Sequence, residues 1–411
     1  MSNPEHRQVV VIGAGPSGSI AAALLHKQGR DVLVLERQQF PRFSIGESLL
    51  VHCLDFVAEA GMIEAVDAAG FQTKNGAAFA RCEQYADYDF GQRFTPGRPT
   101  TYQVQRATFD KLLADEAEKQ GVEIRYQVEI VAVGQANGHR TLTARSANGD
   151  LSTIEADFIL DASGFGRTLP RLLNLETPSK FPTRQALFTH VADNIPAGAF
   201  DREKIRVTVH PQFNDVWYWL IPFANGRCSL GVVAHKAFLD GYAGPPDQRL
   251  RTLVAEDPGL ASLLIDAVWD TPVRELGGYA ANVKAMHGPG FALLGNAAEF
   301  LDPVFSSGVT IAMRSASMAA GVLGRQFGGE RVDWQHEFEE PLRRGVDCFR
   351  AYVEAWYDGR FQSIVFHQGQ TEEIRSMISS VLAGYAWDER NPFVAHSKRR
   401  LETLAHWCRK Q

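Results

Sequence analysis

The chain has 411 residues, of which 45% are hydrophobic and 22% are charged, and its formal net charge is −6. This length can bury a sizeable core, in two domains or in one large domain with an insertion. The acidic balance gives no electrostatic reason to expect nucleic acid as a partner. No apolar stretch approaches the ~20 residues that span a bilayer, and no secretory leader is visible. We therefore expect a cytoplasmic protein without a transmembrane segment.

The cysteine pattern does not indicate a metal centre. The cysteines are scattered along the chain, at Cys53, Cys82, Cys228, Cys348 and Cys408. No Cys-x-x-Cys pair is present, so neither a metal site nor a disulfide framework is suggested. We expect ordinary thiols in a reducing compartment and no bound metal.

A glycine-rich turn joins an apolar strand to a helix within residues 8–36. Gly13 would allow the tight turn, Gly15 would let the backbone approach a pyrophosphate, and Gly18 would let the helix pack on the sheet. Glu36, which ends the next strand, is placed to accept from a ribose hydroxyl. A strand-to-helix turn without a ligand is the alternative. Because strand, turn, helix and second strand occur in order, the pattern favours dinucleotide binding.

The following segments predict further crossings of a nucleotide-binding sheet. Residues 41–48 form an irregular polar loop before a helix near 49–60, and a short strand from Tyr102 precedes a helix that begins near Arg106. Apolar residues alternate from 122 to 130, which predicts a strand. Asn137-Gly138 predicts a tight turn. A buried strand at 158–160 then runs into Asp161.

A change of pattern indicates a second domain between 183 and 233. Strands at 205–210, 217–223 and 228–233 are separated by Asn-Asp and Asn-Gly pairs, which predicts an antiparallel sheet. The chain then returns to a buried strand that stops at Gly295-Asn296, followed by a small-residue helix at 308–324.

From 332 the pattern is helical and rich in aromatic residues. We interpret the aromatic stripe of 349–361 as packing rather than as a substrate cage. Together these patterns predict an α/β fold: a Rossmann-like nucleotide domain, an inserted antiparallel sheet that forms a substrate domain, and a C-terminal helical region. The expected boundaries are 1–75, 101–180 and 276–330 for the first, 76–100 and 181–275 for the second, and 331–411 for the third.

Four local segments carry a more specific signal: Arg42-Phe-Ser-Ile-Gly-Glu-Ser-Leu-Leu50, Phe71-Gln-Thr-Lys-Asn-Gly-Ala-Ala-Phe79, Trp217-Tyr-Trp-Leu-Ile-Pro222 and Phe300-Leu-Asp-Pro-Val-Phe-Ser-Ser-Gly308. They occur in the order found in the flavin-dependent halogenases. The chain therefore resembles these enzymes, within the p-hydroxybenzoate-hydroxylase-fold, geranylgeranyl-reductase-like FAD oxidoreductases. The resemblance spans about residues 8–325. It implies that FAD, not NAD, binds at the glycine-rich turn of residues 13–18, which we call the glycine cradle. The cofactor-binding residues it implies are Gly13, Gly15, Gly18, Glu36, Arg37, Arg42, Gly46, Glu47, Ser48, Arg106, Asp161, Asn296, Pro303 and Gly308.

The same resemblance implies an activity. Reduced FAD, supplied by a separate flavin reductase, would react with oxygen, and a halide co-substrate would be oxidised to hypohalous acid that halogenates an aromatic or heteroaromatic ring. The substrate would be free or bound to an acyl carrier protein. Ser307 and Gly308 would bind the halide through backbone amides at a helix start. Trp217, Trp219, Phe300 and Ser306 would line the substrate pocket.

Lys74 is the expected catalytic residue. Its apolar neighbours predict partial desolvation, which lowers the pKa of an amine. The ammonium could then donate to hypohalous acid, or the amine could attack it, and the residues do not separate these roles. A surface lysine lying on apolar neighbours is the alternative.

Two residues depart from the family pattern. Asn296 stands where an aspartate is usual, and Val51 stands where a proline is usual. Asparagine keeps an acceptor oxygen, so FAD can still be held. The alternatives are a hydroxylating monooxygenase, a polyprenyl-type reductase of the same fold, or a flavoprotein that binds partners without redox turnover.

Overall fold

A computed structural model describes residues 4–136, 138–179, 181–278 and 281–410. Within these ranges helices and strands alternate through the first half, and helices dominate the C-terminal part. Asn137, half of the expected tight turn, lies outside the described residues.

The strands range from two to eleven residues in length. In chain order they are β1 Glu5–Ile12, β2 Val32–Glu36, β3 Gln72–Lys74, β4 Gly76–Arg81, β5 Gln84–Asp89, β6 Thr101–Gln103, β7 Glu123–Tyr126, β8 Glu129–Ala136, β9 His139–Arg145, β10 Leu151–Asp161, β11 Glu176–Thr177, β12 Arg184–Ala192, β13 Lys204–Val209, β14 Trp217–Pro222, β15 Arg227–His235, β16 Arg274–Gly277, β17 Asn282–Val283, β18 His287–Gly288 and β19 Phe291–Leu293.

The helices cover the first sheet and form the C-terminal region. In chain order they are α1 Pro16–Lys27, α2 His52–Glu59, α3 Ile63–Ala68, α4 Arg106–Lys119, α5 Thr168–Leu172, α6 Lys236–Leu239, α7 Pro246–Ala255, α8 Pro258–Leu263, α9 Ser307–Phe327, α10 Glu340–Tyr357, α11 Arg360–Val365, α12 Glu372–Leu382, α13 Pro392–Ala395 and α14 Ser397–Cys408.

The first sheet is largely parallel and has the order β18-β19-β10-β1-β2-β7, with β9 on β10 and β8 on β9. Ile12 lies opposite Asp161 on β10 and Leu35 on β2, and Asp161 lies opposite Leu293 on β19. These parallel strands therefore end at one edge of the sheet. Ligands of open α/β sheets bind at this carboxyl edge.

The second sheet has the order β16-β12-β15-β14-β13-β4-β5. Strands β12 to β15 pair in antiparallel fashion, as expected, but β13 pairs with β4 in parallel, with Lys204 opposite Gly76. The sheet is therefore mixed, because it recruits a strand from much earlier in the chain. Burial of both faces of β14 fits its uninterrupted run of large apolar residues.

The alternation at 122–130 does not form one strand. Gln127 has a φ of +59°, a left-handed conformation that ends β7 after Tyr126. Val128 then donates its amide to the carbonyl of Glu36, and the chain turns into β8, which pairs with β9. Side-chain periodicity contains no signal for such a single-residue break.

The C-terminal helices pack against the second sheet and α9. Phe349, Tyr352, Trp356 and Phe361 are fully buried, in agreement with the packing interpretation of this stripe. Across the described ranges, no helix combines the length and the apolar character that crossing a bilayer would require.

Candidate functional site

A cavity of ≈ 530 Å³ opens at the carboxyl edge of the first sheet and extends to the face of the second sheet. Most of the residues expected from the sequence line it. They are Gly13, Gly15, Glu36, Arg37, Arg42, Gly46, Glu47, Ser48, Arg106, Trp217, Trp219, Asn296, Phe300, Pro303, Ser306 and Gly308. The expected residues that do not line this cavity are Gly18, Lys74, Asp161 and Ser307.

The glycine cradle has no room for side chains. A Cβ on Gly13, whose φ is +98°, would lie 2.7 Å from the carbonyl oxygen of Ala162, and one on Gly18 would lie 1.9 Å from that of Gly13. Gly15 faces the cavity beside the Arg42 guanidinium. The main chain can therefore approach a bound phosphate closely at Gly15, while Gly18 serves helix packing.

Glu36 is held by backbone amides at the end of β2. Its carboxylate oxygens accept from the amides of Ala14 and Gln38, both at 2.9 Å, and the residue is 5% exposed. Each carboxylate oxygen has a second lone pair, so the group can still accept a ribose hydroxyl. Arg37 follows it on the cavity rim.

Asp110 on α4 joins two arginines of the cavity wall. Arg42 lies 2.9 Å from this buried carboxylate, and Arg106 forms a two-point contact at 2.7 and 3.0 Å. Arg106 also donates to the carbonyl of Ile45 at 2.7 Å, beside Gly46, whose φ is +99°. The ion pairs of Asp110 with Arg42 and Arg106 fix the shape of the 41–48 loop against the first turn of α4.

Glu47 is only 2% exposed and pairs with His190 of β12, with 2.7 Å between Oε1 and Nε2. The next side chain, Ser48, is buried in the cavity wall, and its Oγ has no hydrogen-bond partner among the described residues. Buried hydroxyls are normally satisfied, so an unsatisfied one at this cavity fits a polar cofactor. Sequence reasoning missed His190, because nothing local to β12 marks it.

Asp161 points away from the cavity. Its carboxylate accepts from the amides of Ser163 at 2.9 Å and Leu169 at 2.6 Å, so it shapes the turn that leaves β10. Burial raises the pKa of this carboxyl. Asn296 does line the cavity, and its carbonyl accepts from Arg167 at 3.2 Å.

The segment from Phe300 to Gly308 forms the far wall. Pro303–Phe305 is a 3₁₀ turn, and Ser306 has a φ of +56° before α9 starts at Ser307. No side chain caps this helix start, and Gly308 faces the cavity, whereas Ser307 is buried beside it. Phe300 packs edge-on against Phe165, with ring centroids 5.1 Å apart.

Trp217 and Trp219 both line the cavity from β14, as the period of two predicts. Trp219 lies over Gly231, where a Cβ would be 2.3 Å from the indole, and donates to Ser229 at 3.0 Å. Trp217 donates to the phenol of Tyr357 at 2.9 Å. Both indoles are therefore fixed by hydrogen bonds as well as by packing.

Lys74 is almost fully buried, at 1% exposure, and its amine donates to the carbonyl of Leu49 at 2.8 Å. Burial lowers the pKa of this amine to about 7. Leu49 lies just before α2, and the thiol of Cys53 on α2 lies 3.0 Å from the hydroxyl of Thr310 in the first turn of α9. Lys74 is therefore linked to the first turn of α9 only indirectly, through the start of α2.

A second cluster lies on the first sheet, away from the cavity. The imidazoles of His6 and His139 both contact the same carboxylate oxygen of Asp157, at 2.9 and 2.8 Å. These groups are close enough together to hold a metal ion, although hydrogen bonding already satisfies them. The members of this group come from three separate strands, so no spacing in the sequence marks them.

Residues 6–345 match the FAD binding domain family. Flavin-dependent halogenase armH5 from Armillaria mellea is 30% identical, over 84% of this chain and 69% of that protein. Tryptophan 2-halogenase from Chondromyces crocatus is 29% identical, over 87% and 67%. The 1H-pyrrole-2-carbonyl-[peptidyl-carrier protein] chlorinase from Pseudomonas fluorescens is 29% identical, over 85% and 83%.

Solved structures agree in fold over almost the whole chain. A flavoprotein/dehydrogenase from Cytophaga hutchinsonii is 42% identical, with a TM-score of 0.95 over 99% of both chains. The flavin-dependent brominase Bmp2 is 25% identical, with a TM-score of 0.85 over 99% of this chain and 100% of that one.

Proposed function

This chain belongs to the flavin-dependent halogenases of the FAD binding domain family, and we propose that it halogenates an aromatic or heteroaromatic ring. It is an FAD-dependent enzyme of the oxidoreductase type. The proposed reaction consumes reduced FAD, oxygen and a halide ion. Bound FAD would supply the oxidising chemistry, by activating oxygen so that the halide is oxidised.

The residues at the sheet edge fit FAD. Gly13 allows the tight turn, Gly15 leaves space for a pyrophosphate, Glu36 offers lone pairs to a ribose, and the start of α1 directs amides at phosphates. Arg42 and Arg106 share one carboxylate, Asp110, so the three side chains together leave one positive charge at the wall. The unsatisfied hydroxyl of Ser48 offers a donor to the cofactor.

The start of α9 supports a halide site. Its first amides have no side-chain cap, and the positive end of the helix dipole favours an anion there. Because Ser306 takes a left-handed conformation, the chain turns sharply into Ser307 and Gly308. The absence of a side chain at Gly308 permits close approach from the cavity.

The burial of Lys74 is the observation that carries the proposal. This lysine is 1% exposed, its amine donates to the carbonyl of Leu49, and burial lowers the pKa of the amine to about 7. It can therefore hold a proton for hypohalous acid or react as a free amine. The amine bonds Leu49, just before α2, and Cys53 of α2 contacts Thr310 in the first turn of α9, which supports a role near the proposed halide site.

Partners follow from this chemistry. The proposed enzyme takes reduced FAD from a separate flavin reductase in the cytoplasm. Its substrate is a free arene or one carried by an acyl carrier protein, as in the pyrrole-2-carbonyl chlorinase named above.

Mass spectrometry tests the proposal directly. The enzyme is incubated with FAD, a flavin reductase, oxygen and bromide against a panel of arenes, and products are searched for the bromine isotope pattern. Lys74→Met should abolish brominated product while FAD stays bound, and Lys119→Met, at an exposed lysine, should leave it unchanged. Turnover that ignores added halide would contradict halogenation and favour a hydroxylase or a dehydrogenase, the activity named for the Cytophaga hutchinsonii flavoprotein.

A further inference from the structure

Two histidines and two carboxylates share one face of the first sheet. His6 lies on β1, Glu155 and Asp157 lie on β10, and His139 lies on β9, so three neighbouring strands carry them. His6 is opposite Glu155 in register. Glu155 is in turn opposite Thr141, two residues after His139. Because opposed residues, and residues two apart on a strand, point to the same face, all four side chains lie together there. We name these four residues the histidine cluster.

Both imidazoles of the histidine cluster address a single oxygen. Nε2 of His6 and Nδ1 of His139 lie 2.9 and 2.8 Å from the same atom, Oδ1 of Asp157. The three atoms lie within 4.8 Å of one another, and the two rings meet edge to face with centroids 5.0 Å apart. Two hydrogen bonds could be divided between the two oxygens of a carboxylate. Convergence of three ligand atoms on one point is what a shared metal ion requires.

The two carboxylates of the histidine cluster are not neutralised by arginine or lysine. Within the described ranges, Asp157 forms ion pairs with the two histidines alone, and the carboxylate of Glu155 has neither an ion pair nor a hydrogen bond. The arginines adjacent in sequence, Arg7 and Arg140, alternate to the other face of the sheet. Arg7 pairs with three carboxylates, and Arg140 donates to a backbone carbonyl. Two negative charges beside two imidazoles match a divalent cation.

We propose that the histidine cluster is a zinc site, in which His6, His139 and Asp157 bind Zn²⁺ and Glu155 supplies the fourth ligand. Imidazole nitrogen and carboxylate oxygen are both ordinary zinc ligands, and four of them complete a tetrahedral structural site. Calcium and magnesium take oxygen ligands instead, so the two imidazoles select against them.

Zinc can replace the present hydrogen bonds with little movement. A neutral imidazole carries its proton on either ring nitrogen, so Nε2 of His6 and Nδ1 of His139 can each offer a lone pair to the ion. Ligand atoms of a tetrahedral zinc lie about 3.3 Å apart, given bonds of about 2.0 Å. Because the nitrogens now lie 2.8–2.9 Å from the Asp157 oxygen, each pair needs to separate by only about half an ångström.

The place of the histidine cluster in the sheet gives the ion a structural role. His6 is six residues before Ile12, which lines the cavity, so the two are about 20 Å apart along β1. A zinc ion at His6 cannot touch a cofactor at the carboxyl edge. It would cross-link β1, β10 and β9, and so hold the N-terminal strand to the strands beside it. The inference therefore stands independently of the proposed function.

Calorimetry on the FAD-loaded protein, purified without a polyhistidine tag, tests the site. The protein carries Cys82→Ser throughout, because the exposed thiol of Cys82 would itself bind zinc. Titration with zinc chloride should show one ion per chain, and calcium chloride should show no binding. Zinc at 100 times its dissociation constant should raise the unfolding midpoint by about 3 °C. A protein that binds no zinc, or that binds calcium equally well, would overturn the inference.

Variants identify the ligands. His6→Ala and His139→Ala should each weaken zinc binding about 10-fold or more, since loss of even an outer partner of a metal ligand costs about 10- to 100-fold. Both side chains are at least 40% exposed, so the variants should keep the fold, which circular dichroism checks. Glu155→Gln should weaken binding as well. His336→Ala is the matched control, because His336 is exposed and lies 2.8 Å from a carboxylate but belongs to another cluster.

Unchanged zinc affinity in His139→Ala would overturn the site. Equal weakening in His336→Ala would also overturn it, because the zinc would then bind adventitiously to surface histidines.

Discussion

The phenol of Tyr357 donates a hydrogen bond to the buried carboxylate of Asp302 at 2.8 Å. The same phenol accepts from the indole of Trp217. Asp302 also caps the 3₁₀ turn by accepting from the amide of Val304 at 3.0 Å. The end of α10 therefore connects the second sheet to the turn that precedes α9.

Tyr357→Phe tests the strength of this connection. It removes the partner of both Asp302 and Trp217, which are buried, so we expect the free energy of unfolding to fall by about 1–3 kcal/mol. Urea denaturation followed by circular dichroism measures the change. Tyr102→Phe is the control, because that hydroxyl donates to an exposed carboxylate of Asp67 at 2.8 Å and should matter less. If Tyr357→Phe and Tyr102→Phe lowered the free energy of unfolding equally, the buried hydrogen bonds of Tyr357 would not contribute as we expect.

Asp302→Asn should change how stability depends on pH. Burial raises the pKa of Asp302 from 3.8 to about 6, so the folded state keeps a proton that the unfolded state releases. This contribution stabilises the fold below pH 4 and is lost as pH rises through 6, by roughly 3 kcal/mol. Urea denaturation at pH 4 and pH 7 should therefore show the wild type losing more stability than Asp302→Asn. If the stability of the wild type and of Asp302→Asn changed by the same amount between pH 4 and pH 7, the raised pKa of Asp302 would be refuted.

Lys74→Met should stabilise the protein at neutral pH. Burial lowers the pKa of this amine from 10.5 to about 7, so folding favours the neutral form. The stability that accompanies the neutral amine is present above pH 10.5 and is lost as pH falls through 7, by up to roughly 5 kcal/mol. Denaturation at pH 7 and pH 10 should show the stabilising effect of Lys74→Met shrinking at the higher pH. If Lys74→Met gained the same free energy of unfolding over wild type at pH 7 and at pH 10, the lowered pKa of Lys74 would be ruled out.

Gly13→Ala should abolish FAD binding. The new Cβ would meet the carbonyl of Ala162 at 2.7 Å, and the φ of +98° disfavours any side chain. Flavin content after purification and fluorescence titration with FAD measure the loss. Gly29→Ala separates the two causes, because Gly29 also has a positive φ, +75°, but open space around it. We expect Gly29→Ala to lower stability by about 1 kcal/mol and to keep FAD.

Local patterns in the sequence predicted the elements at the carboxyl edge of the first sheet well. The glycine turn, the ends of β2 and β19, and the shared face of Trp217 and Trp219 all follow from spacing within a few residues. The lowered pKa of Lys74 also follows from apolar neighbours that are adjacent in sequence.

Partners that come from distant parts of the chain could not be predicted in this way. His190 is 143 residues from Glu47, and Tyr357 is 55 residues from Asp302. Asp161 faces its own turn rather than the cavity because two backbone amides come within reach of its carboxylate only once the turn has formed. The parallel pairing of β13 with β4 is equally non-local, because its partner strand lies more than 100 residues away.

The first turn of α9 has different surroundings on its two sides. Gly308 and Val309 face the cavity, and Thr310 contacts Cys53 on the opposite side. A helix with its side chains is about 10 Å across, so one turn of α9 forms the cavity wall on one side and part of the buried core on the other.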